Sequence, residues 1–424
     1  MSSHKIAFFS VALLFISSTL TFGQAARSPF SSYGIGEQFG SGLTQNMGMG
    51  GVGISNPNFW YTNNMNPALL VFNRFTTFQV GMIGESRTQT SETSTEKSGS
   101  GNLNYMTLAI PVIPFKWTSS ISLLPYTKLN YSLKYTQEIP NSGGATTNVL
   151  EQGSGGVNQF SWSNGVVLTK NLSLGLKSTY LFGSVESDFK NILTNLIIPT
   201  YPSVLERLSV SSFQFTPGVS YHIDSLFGKD YVFNAGIVYD FKTNLNVKFF
   251  QQLSQHTSSG SIIDSVTLIS NQPGIITLPQ GISGGISFGR FGRWTVALDG
   301  AYADYSQYRG LDGGSPYAAS NWRVAAGFEK VPDPASLSSY LKRITYRTGV
   351  SLESYPYLAN GNTVKDLGIS FGLSLPVSRY SSLDFAIKGG KKGDKTLNSI
   401  EENYIKFYFG ITFMDVWFVK RRFD

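Results

Sequence analysis

Two-residue alternation of apolar with small or polar side chains, sustained over long stretches, constrains this chain more than any other feature. In 403–413 one parity reads Ile405, Phe407, Phe409, Ile411 and Phe413, and the other Tyr404, Lys406, Tyr408, Gly410 and Thr412. In 366–375 Leu367, Ile369, Phe371, Leu373 and Leu375 alternate with Asp366, Gly368, Ser370, Gly372 and Ser374. The same period runs through 172–182, 231–241, 294–302, 322–329, 344–353 and 383–388. Successive side chains of a strand point to opposite faces, so each stretch builds one apolar and one polar face. Lengths of about 9–11 residues suit a tilted strand crossing a bilayer, whereas strands of soluble sandwiches run to about five or six. Aromatics near the strand ends, such as Trp294, Tyr302 and Trp322, fall where an interfacial girdle belongs. The pattern predicts an all-β fold, a transmembrane antiparallel β-barrel.

Composition agrees. Charged residues are only 14% of the 424, against about 25% in soluble domains, while aromatics reach 14% and there are 44 glycines. The net charge of +7 is spread thinly and leaves no nucleic-acid footprint. With no cysteine, disulfides, iron–sulfur clusters, thiolate zinc sites and a lipidated N-terminal Cys are excluded. Lys5 followed by the apolar run 6–20 and small residues at Gly23 and Ala25 reads as a secretory signal peptide over 1–25. That run is shorter than the roughly 20 residues a spanning helix needs.

Alternation counts about fourteen strands, starting near Thr76, Asn102, Trp117, Val157, Leu172, Ser209, Tyr231, Ile282, Trp294, Asn321, Ile344, Lys365, Tyr380 and Asn403. Connections alternate in length. Long ones are expected at 86–101, 138–156, 186–208, 243–281, 306–320, 356–364 and 389–402, and short ones at 111–116, 170–171, 223–230, 291–293 and 377–379. Long external loops and short periplasmic turns are the outer-membrane arrangement, with both termini in the periplasm. The link 331–343 is a longer periplasmic connection with room for a short helix at 335–341. Segment 29–74 lacks alternation but is rich in Gly, Asn and Met, and a barrel this wide has a lumen to fill. The expected organisation is a signal peptide (1–25), a luminal hatch (26–75), the barrel (76–416) and a periplasmic tail (417–424).

Two enzyme-like motifs are discounted. Gly48, Gly50 and Gly53 match G-x-G-x-x-G, yet no strand precedes them and no helical pattern follows, so hatch turns are the better reading. Gly285, Ser287 and Gly289 match G-x-S-x-G, but Ser287 lies inside an alternating strand rather than at a strand-to-helix elbow. The three histidines, His4, His222 and His256, are too few and too scattered for a metal site or a triad. No enzyme and no cofactor are expected. Parity turns Lys177, Asp240, Asp299, Arg323, Glu329, Arg347, Glu353, Asp384, Lys388 and Lys406 inward, with neither sign predominating, which argues against an ion-selective pore. Their default role is pairing with one another and with the hatch. Alternatively some Arg or Lys receive an amphipathic ligand's carboxylate. Pro125 interrupts the third strand, and a residue without an N–H fits only at a bulge or an unpaired position.

The stretch 46–72, with its Gly-rich run followed by Asn66, Pro67 and Ala68, resembles the start of the FadL family of outer-membrane hydrophobic-compound channels. The stretch 277–308 is similar to that family's Leu-Pro strand followed by Trp294-x-Val296-x-x-Asp299, and 322–329 and 346–354 look like the strands after it. The sequence looks like a Bacteroidota branch. The resemblance implies a 14-stranded barrel and a hatch that includes Gly48, Gly50, Gly53, Asn66 and Pro67. It also implies a lateral wall opening at a kink in the third strand, here Pro125; the polar lumen lining expected at Asp299, Arg323, Glu329, Arg347 and Glu353 comes from strand parity instead. The implied function is passive uptake of a hydrophobic small molecule, which would enter an apolar pocket above the hatch and leave sideways into outer-membrane lipid and lipopolysaccharide. Relatives of this fold also include subunits of protein-secretion and barrel-assembly complexes. A non-transporting subunit with protein partners is therefore the alternative, and a porin for polar solutes is disfavoured by the plug and the mixed lumen charge.

Overall fold

In the computed structural model, residues 26–138, 146–192, 200–227 and 230–416 are described. The expected signal peptide and the tail from 417 lie outside them. Among the described residues the chain forms seventeen strands in one sheet. In chain order they are β1 (Glu37–Gln38), β2 (Thr76–Ser91), β3 (Thr95–Ile113), β4 (Trp117–Glu138), β5 (Thr146–Val167), β6 (Leu172–Ile192), β7 (Thr200–Leu226), β8 (Tyr231–Asp240), β9 (Thr243–Thr257), β10 (Ile262–Leu278), β11 (Gly281–Arg290), β12 (Trp294–Ala303), β13 (Asn321–Lys330), β14 (Thr345–Ala359), β15 (Asn362–Ser378), β16 (Ser381–Asp394) and β17 (Ile400–Asp415). Fourteen of them, β2–β8 and β11–β17, form a closed antiparallel wall. The ring closes where β17 pairs with β2, from Ile400 opposite Ser91 to Asp415 opposite Thr76. The alternation emerges as an inside-out burial pattern: along β15 Ser370 is buried while Ile369 and Phe371, its neighbours on the outer face, are more than half exposed to what would be lipid.

Wall height is uneven. Strands β8, β11, β12 and β13 have 10 residues each, about one bilayer crossing, while β4, β5, β6 and β7 have 22, 22, 21 and 27. At roughly 3.3 Å per residue and a tilt of about 40°, the surplus lifts these four strands about 30–40 Å above the four shortest, with the remaining wall strands between them. The long connections expected at 86–101, 138–156, 186–208 and 389–402 are therefore mostly continued strand, and 243–281 is the hairpin β9–β10. That hairpin lies on the first part of β7 (Thr200–Val210), whose last part pairs with β8. Polar composition outside the membrane hid these extensions, because a strand wetted on both faces carries no apolar period. The connection 304–320 does stay non-repetitive apart from a short 3-10 turn at Tyr305–Gln307. The helix expected at 335–341 is absent, and a 3-10 turn at Leu341–Arg343 takes its place.

Segment 26–74 lies inside the wall. It contains β1, one helical turn, α1 (Thr44–Met47), and a 3-10 helix at Pro67–Phe72. Inward-facing glycines stand opposite one another across the ladder: Gly165 with Gly175 and Gly175 with Gly218, Gly236 with Gly285, and Gly327 with Gly349. The inner segment lies directly on them. A Cβ on Gly175 would fall 2.3 Å from the Ala68 nitrogen, one on Gly236 2.2 Å from the Ile54 oxygen, and one on Gly349 2.2 Å from the Gly50 nitrogen. Backbone meets backbone here, so no side-chain rotation relieves a larger residue.

Gly349→Val should therefore expel the inner segment locally, which limited proteolysis would register as new cleavage within 44–66. Gly300→Ala, on the outer face of β12 with open space around it, should leave the digest unchanged.

Candidate functional site

The interior is filled from two directions. At mid-height the wall holds the inner segment through fixed polar anchors. Asp299 on β12 accepts from the Gly53 and Ile54 backbone N–H groups at 2.6 and 2.9 Å. Arg323 on β13 donates to the Gly50 oxygen at 2.5 Å, and Ser370 on β15 accepts from the Gly50 nitrogen at 2.7 Å. Gln45 on α1 donates to Asp384 at 2.8 Å. Asn66 accepts from the Ala68 nitrogen at 3.0 Å, starting the 3-10 helix at Pro67. Gly50 has φ +71°, a left-handed conformation that favours glycine, and Gly48 packs against Gly372. Gly48, Gly50 and Gly53 are thus close-approach and turn positions against the wall. Arg347 and Glu329 pair at 2.7 Å, with Arg347 under the Tyr61 ring, while Glu353 accepts from Asn321 on the neighbouring strand at 3.4 Å. Ser287 donates to the Ser55 oxygen at 2.6 Å from mid-strand β11.

Nearer the tall end, residues 26–39 run as a strap along the inside of β4. Strand β3 pairs with β4 only from Ile113–Trp117 up to Met106–Leu123. Beyond Leu123 the strap takes that edge of β4: Glu37 opposes Lys128, Gln38 opposes Thr127, Phe39 N–H donates to Tyr126 O at 2.9 Å and Ser28 N–H to Asn130 O at 2.8 Å. On the other side β4 stays paired with β5 through a register shift between Pro125 and Thr127. Pro125 thus sits where the β3 seam opens, beside a bulge.

A charge cluster fastens the strap to the opposite side of the seam. Arg87 on β2 meets Glu37 at 3.0 Å, Glu85 at 2.5 Å and Glu402 at 3.1 Å. Lys392 meets Glu37 at 3.2 Å within a cage of Phe30, Tyr355 and Tyr357, its ammonium 4.1 Å from the Tyr355 centroid. Lys406 reaches Glu85 at 3.5 Å, and Ser28 donates to Glu402 at 2.6 Å. Burial alone would push the Glu37 carboxyl up, but Arg87, Lys392 and Lys406 outweigh it and hold Glu37 well below the usual carboxylate range. Of this cluster only Lys406 lies in a stretch with clear alternation and an inward parity, whereas Arg87 and Lys392 fall in polar stretches without an apolar period. The two-residue spacing of Glu85 and Arg87, and the parity that Lys392 shares with Lys388 four residues earlier, are the signals that point to the rest.

Connection 304–320 folds inward over the strap. Tyr305, Tyr308 and Ile35 join Val157, Leu181, Val210, Leu245 and Ile276 in one core, partly covered by Tyr317. Gln38 donates to the Tyr305 hydroxyl at 2.6 Å. Burial pushes Tyr308 up to about 12, as expected of a phenol sealed from water. What remains below is a cavity of about 240 Å³ lined by Gln159, Lys177, Thr179, Gln214 and Asp240 as well as apolar groups. The apolar pocket expected above the hatch is thus replaced by a small mixed cavity, because the strap and the tyrosine connection occupy that space. A larger vestibule, about 1130 Å³, opens at the short-turn end.

This closed 14-strand wall with an inner N-terminal segment has the fold of the FadL-type outer-membrane barrels. The CymD monoaromatic hydrocarbon channel matches with a TM-score of 0.56 at 16% identity, over 89% of this chain and 98% of that one. The toluene transporter TodX of P. putida matches with 0.58 at 13% identity, over 91% and 100%, and TbuX of Ralstonia pickettii, also a toluene transporter, with 0.58 at 12%, over 89% and 98%. At these identities the likeness is one of fold. No curated protein matches the sequence. The BamG family model matches residues 5–424, and the chain belongs to the BamG family.

Glu37→Gln should weaken the strap by on the order of 3 kcal/mol, since it leaves Arg87 and Lys392 short of a buried carboxylate. The checking measurement is the denaturant concentration at which residues 26–39 become protease-sensitive. Because the folded-state pKa of Glu37 is depressed, its stabilisation is fully present above the unfolded value of about 4.3 and is lost as pH falls through the folded one. Strap protection should therefore be flat between about pH 5 and 8 with respect to Glu37, and fall only below about pH 4.

Proposed function

We propose that this protein is a closed-lumen barrel subunit of a larger outer-membrane protein secretion or assembly complex in a Gram-negative bacterium of the Bacteroidota. The observation that carries this reading is the filling of the interior at two levels. The inner segment rests on glycine backbone at mid-height, and the strap and the 304–320 connection occupy the space above. Membership of the BamG family, rather than a close match to a transporter, agrees with it. The barrel would sit among outer-membrane phospholipid and lipopolysaccharide, with its short turns and C-terminal tail in the periplasm after removal of a signal peptide. Ala26, the first described residue, is buried, and the neighbouring Arg27 carbonyl accepts from Gln89 and Ser98 towards the tall end. The N-terminal strap of the mature chain would thus lie inside the barrel.

One observation favours a second reading, uptake of a hydrophobic small molecule through the wall. The β3–β4 seam opens beside Pro125, and the structures of like fold include toluene transporters. In that reading the strap is the gate, 26–75 is a hatch in the functional sense, Asp299, Arg323 and the Glu329–Arg347 pair hold it, and Glu353 belongs to the polar lumen lining.

Purification from native membranes in mild detergent separates the two. The subunit reading expects partner proteins at fixed stoichiometry. A lone barrel carrying lipid-like material would sink it, especially if deleting residues 26–39 speeds entry of a lipophilic dye into proteoliposomes.

A further inference from the structure

The vestibule at the short-turn end, at about 1130 Å³, is several times larger than the mixed cavity nearer the tall end, and the readings above leave it without a role. Its wall carries seven Arg or Lys side chains against three carboxylates. Two of those carboxylates are already engaged: Glu329 pairs with Arg347, and Asp384 accepts from Gln45 and Thr412. The third, Asp224, lies beside His222. Arg290 and Arg293 pair at the rim with Asp230 and Asp333. Arg74, Lys170, Arg343 and Arg379 are exposed and have no carboxylate partner among the described residues.

Three of these four lie over aromatic rings at cation–π distance. Arg74 lies 5.3 Å from the centroids of both Phe59 and Phe115, Arg343 5.2 Å from Tyr340, and Arg379 5.6 Å from Tyr380. Such a contact is electrostatic and uses none of the five guanidinium N–H donors on a carbonyl or carboxylate, so they remain to meet a planar carboxylate. Between them Trp60, 45% exposed, and Phe291, 56% exposed, offer apolar surface in the cavity. The residues around the short turns combine what a protein interface core needs, aromatic anchors with Arg beside them.

Their spacing selects the kind of ligand. Arg74 precedes β2, Lys170 lies between β5 and β6, Arg343 between β13 and β14, and Arg379 between β15 and β16. A 14-strand ring is on the order of 25–30 Å across, so one phosphate or one fatty-acid carboxylate reaches only one side of it. A polypeptide with several carboxylates can meet them all.

We propose that this vestibule is the docking site for an acidic segment of a periplasmic partner protein. One apolar or aromatic side chain of the segment enters beside Trp60 and Phe291, and its carboxylates meet Arg74, Lys170, Arg343 and Arg379. The inference rests on the subunit reading and on the short-turn end facing the periplasm.

The test uses the full mature chain in nanodiscs and a fluorescein-labelled peptide of alternating Glu with Trp and Leu, followed by anisotropy. The same peptide with every Glu replaced by Gln is the control. The Glu peptide should bind at least tenfold more tightly than the Gln peptide, and its affinity should fall at least tenfold between low and high salt. The triple variant Arg74→Gln, Arg343→Gln, Arg379→Gln should lose at least tenfold. Lys97→Gln with Lys134→Gln at the tall end should lose nothing. Heat-modifiable gel mobility reports that each variant is folded. Equal binding of both peptides, or an unaffected triple variant, overturns the proposal, and so does full displacement by short-chain phosphatidylglycerol, which assigns the vestibule to anionic lipid. If native partners co-purify equally well with the triple variant, this docking surface fails and the subunit reading stands. If the peptide behaves as stated but nothing co-purifies from native membranes, the subunit reading is the one that fails.

Discussion

Backbone-to-backbone contact between the inner segment and the wall is the constraint on which the rest of this structure depends. A 14-strand barrel is too wide to be filled by its own inward side chains, so a folded segment must occupy it. Packing a chain of about 50 residues against a wall normally interposes a layer of side chains. Here Gly175, Gly236 and Gly349 remove that layer, and the inner chain settles within van der Waals reach of the strands. The freed backbone groups then need partners, and Asp299, Ser370 and Arg323 supply them at Gly50, Gly53 and Ile54. Polar groups in a water-poor interior cost little only when satisfied, which ties the lumen charges to the path of the inner segment.

The strap solves a different problem. Where β3 and β4 part company, the edge of β4 would expose unpaired N–H and C=O groups at a wall seam. Residues 26–39 supply the missing partners from inside, and the Arg87 cluster ties them back to β2 and β17. Opening the seam would require breaking several backbone hydrogen bonds and a buried six-charge cluster together. That arrangement favours a closed wall at rest, and it distinguishes this lumen from an open pore whatever passes the seam.

Much of the wall was legible from sequence. Strand starts at Thr76, Trp117, Leu172, Tyr231, Trp294 and Asn321 coincide with the observed ones, because each opens an apolar parity facing lipid. Outside the membrane both strand faces meet water and the period vanishes, so the upper halves of β4–β7 and the whole β9–β10 hairpin read as loop. The same loss hid Arg87, Lys392 and Glu402. Pro125 announced an irregularity but not what lies against it. The gap beside it is filled by residues almost 90 positions earlier, a pairing with no local signature.

The alternation by itself determined an inside-out β-barrel of about fourteen strands, with a non-repetitive N-terminal segment left over. Both are local properties, set by which face of each residue meets lipid. Only the tertiary structure decided how the leftover segment is used: which glycines receive it, that its first residues take the free edge of β4, and that the tyrosines of 304–320 close over it. Those outcomes turn on shape complementarity and charge pairing between residues hundreds of positions apart, as Ser28 with Glu402 illustrates. No periodicity along the chain encodes such contacts, because they exist only once the ring has closed.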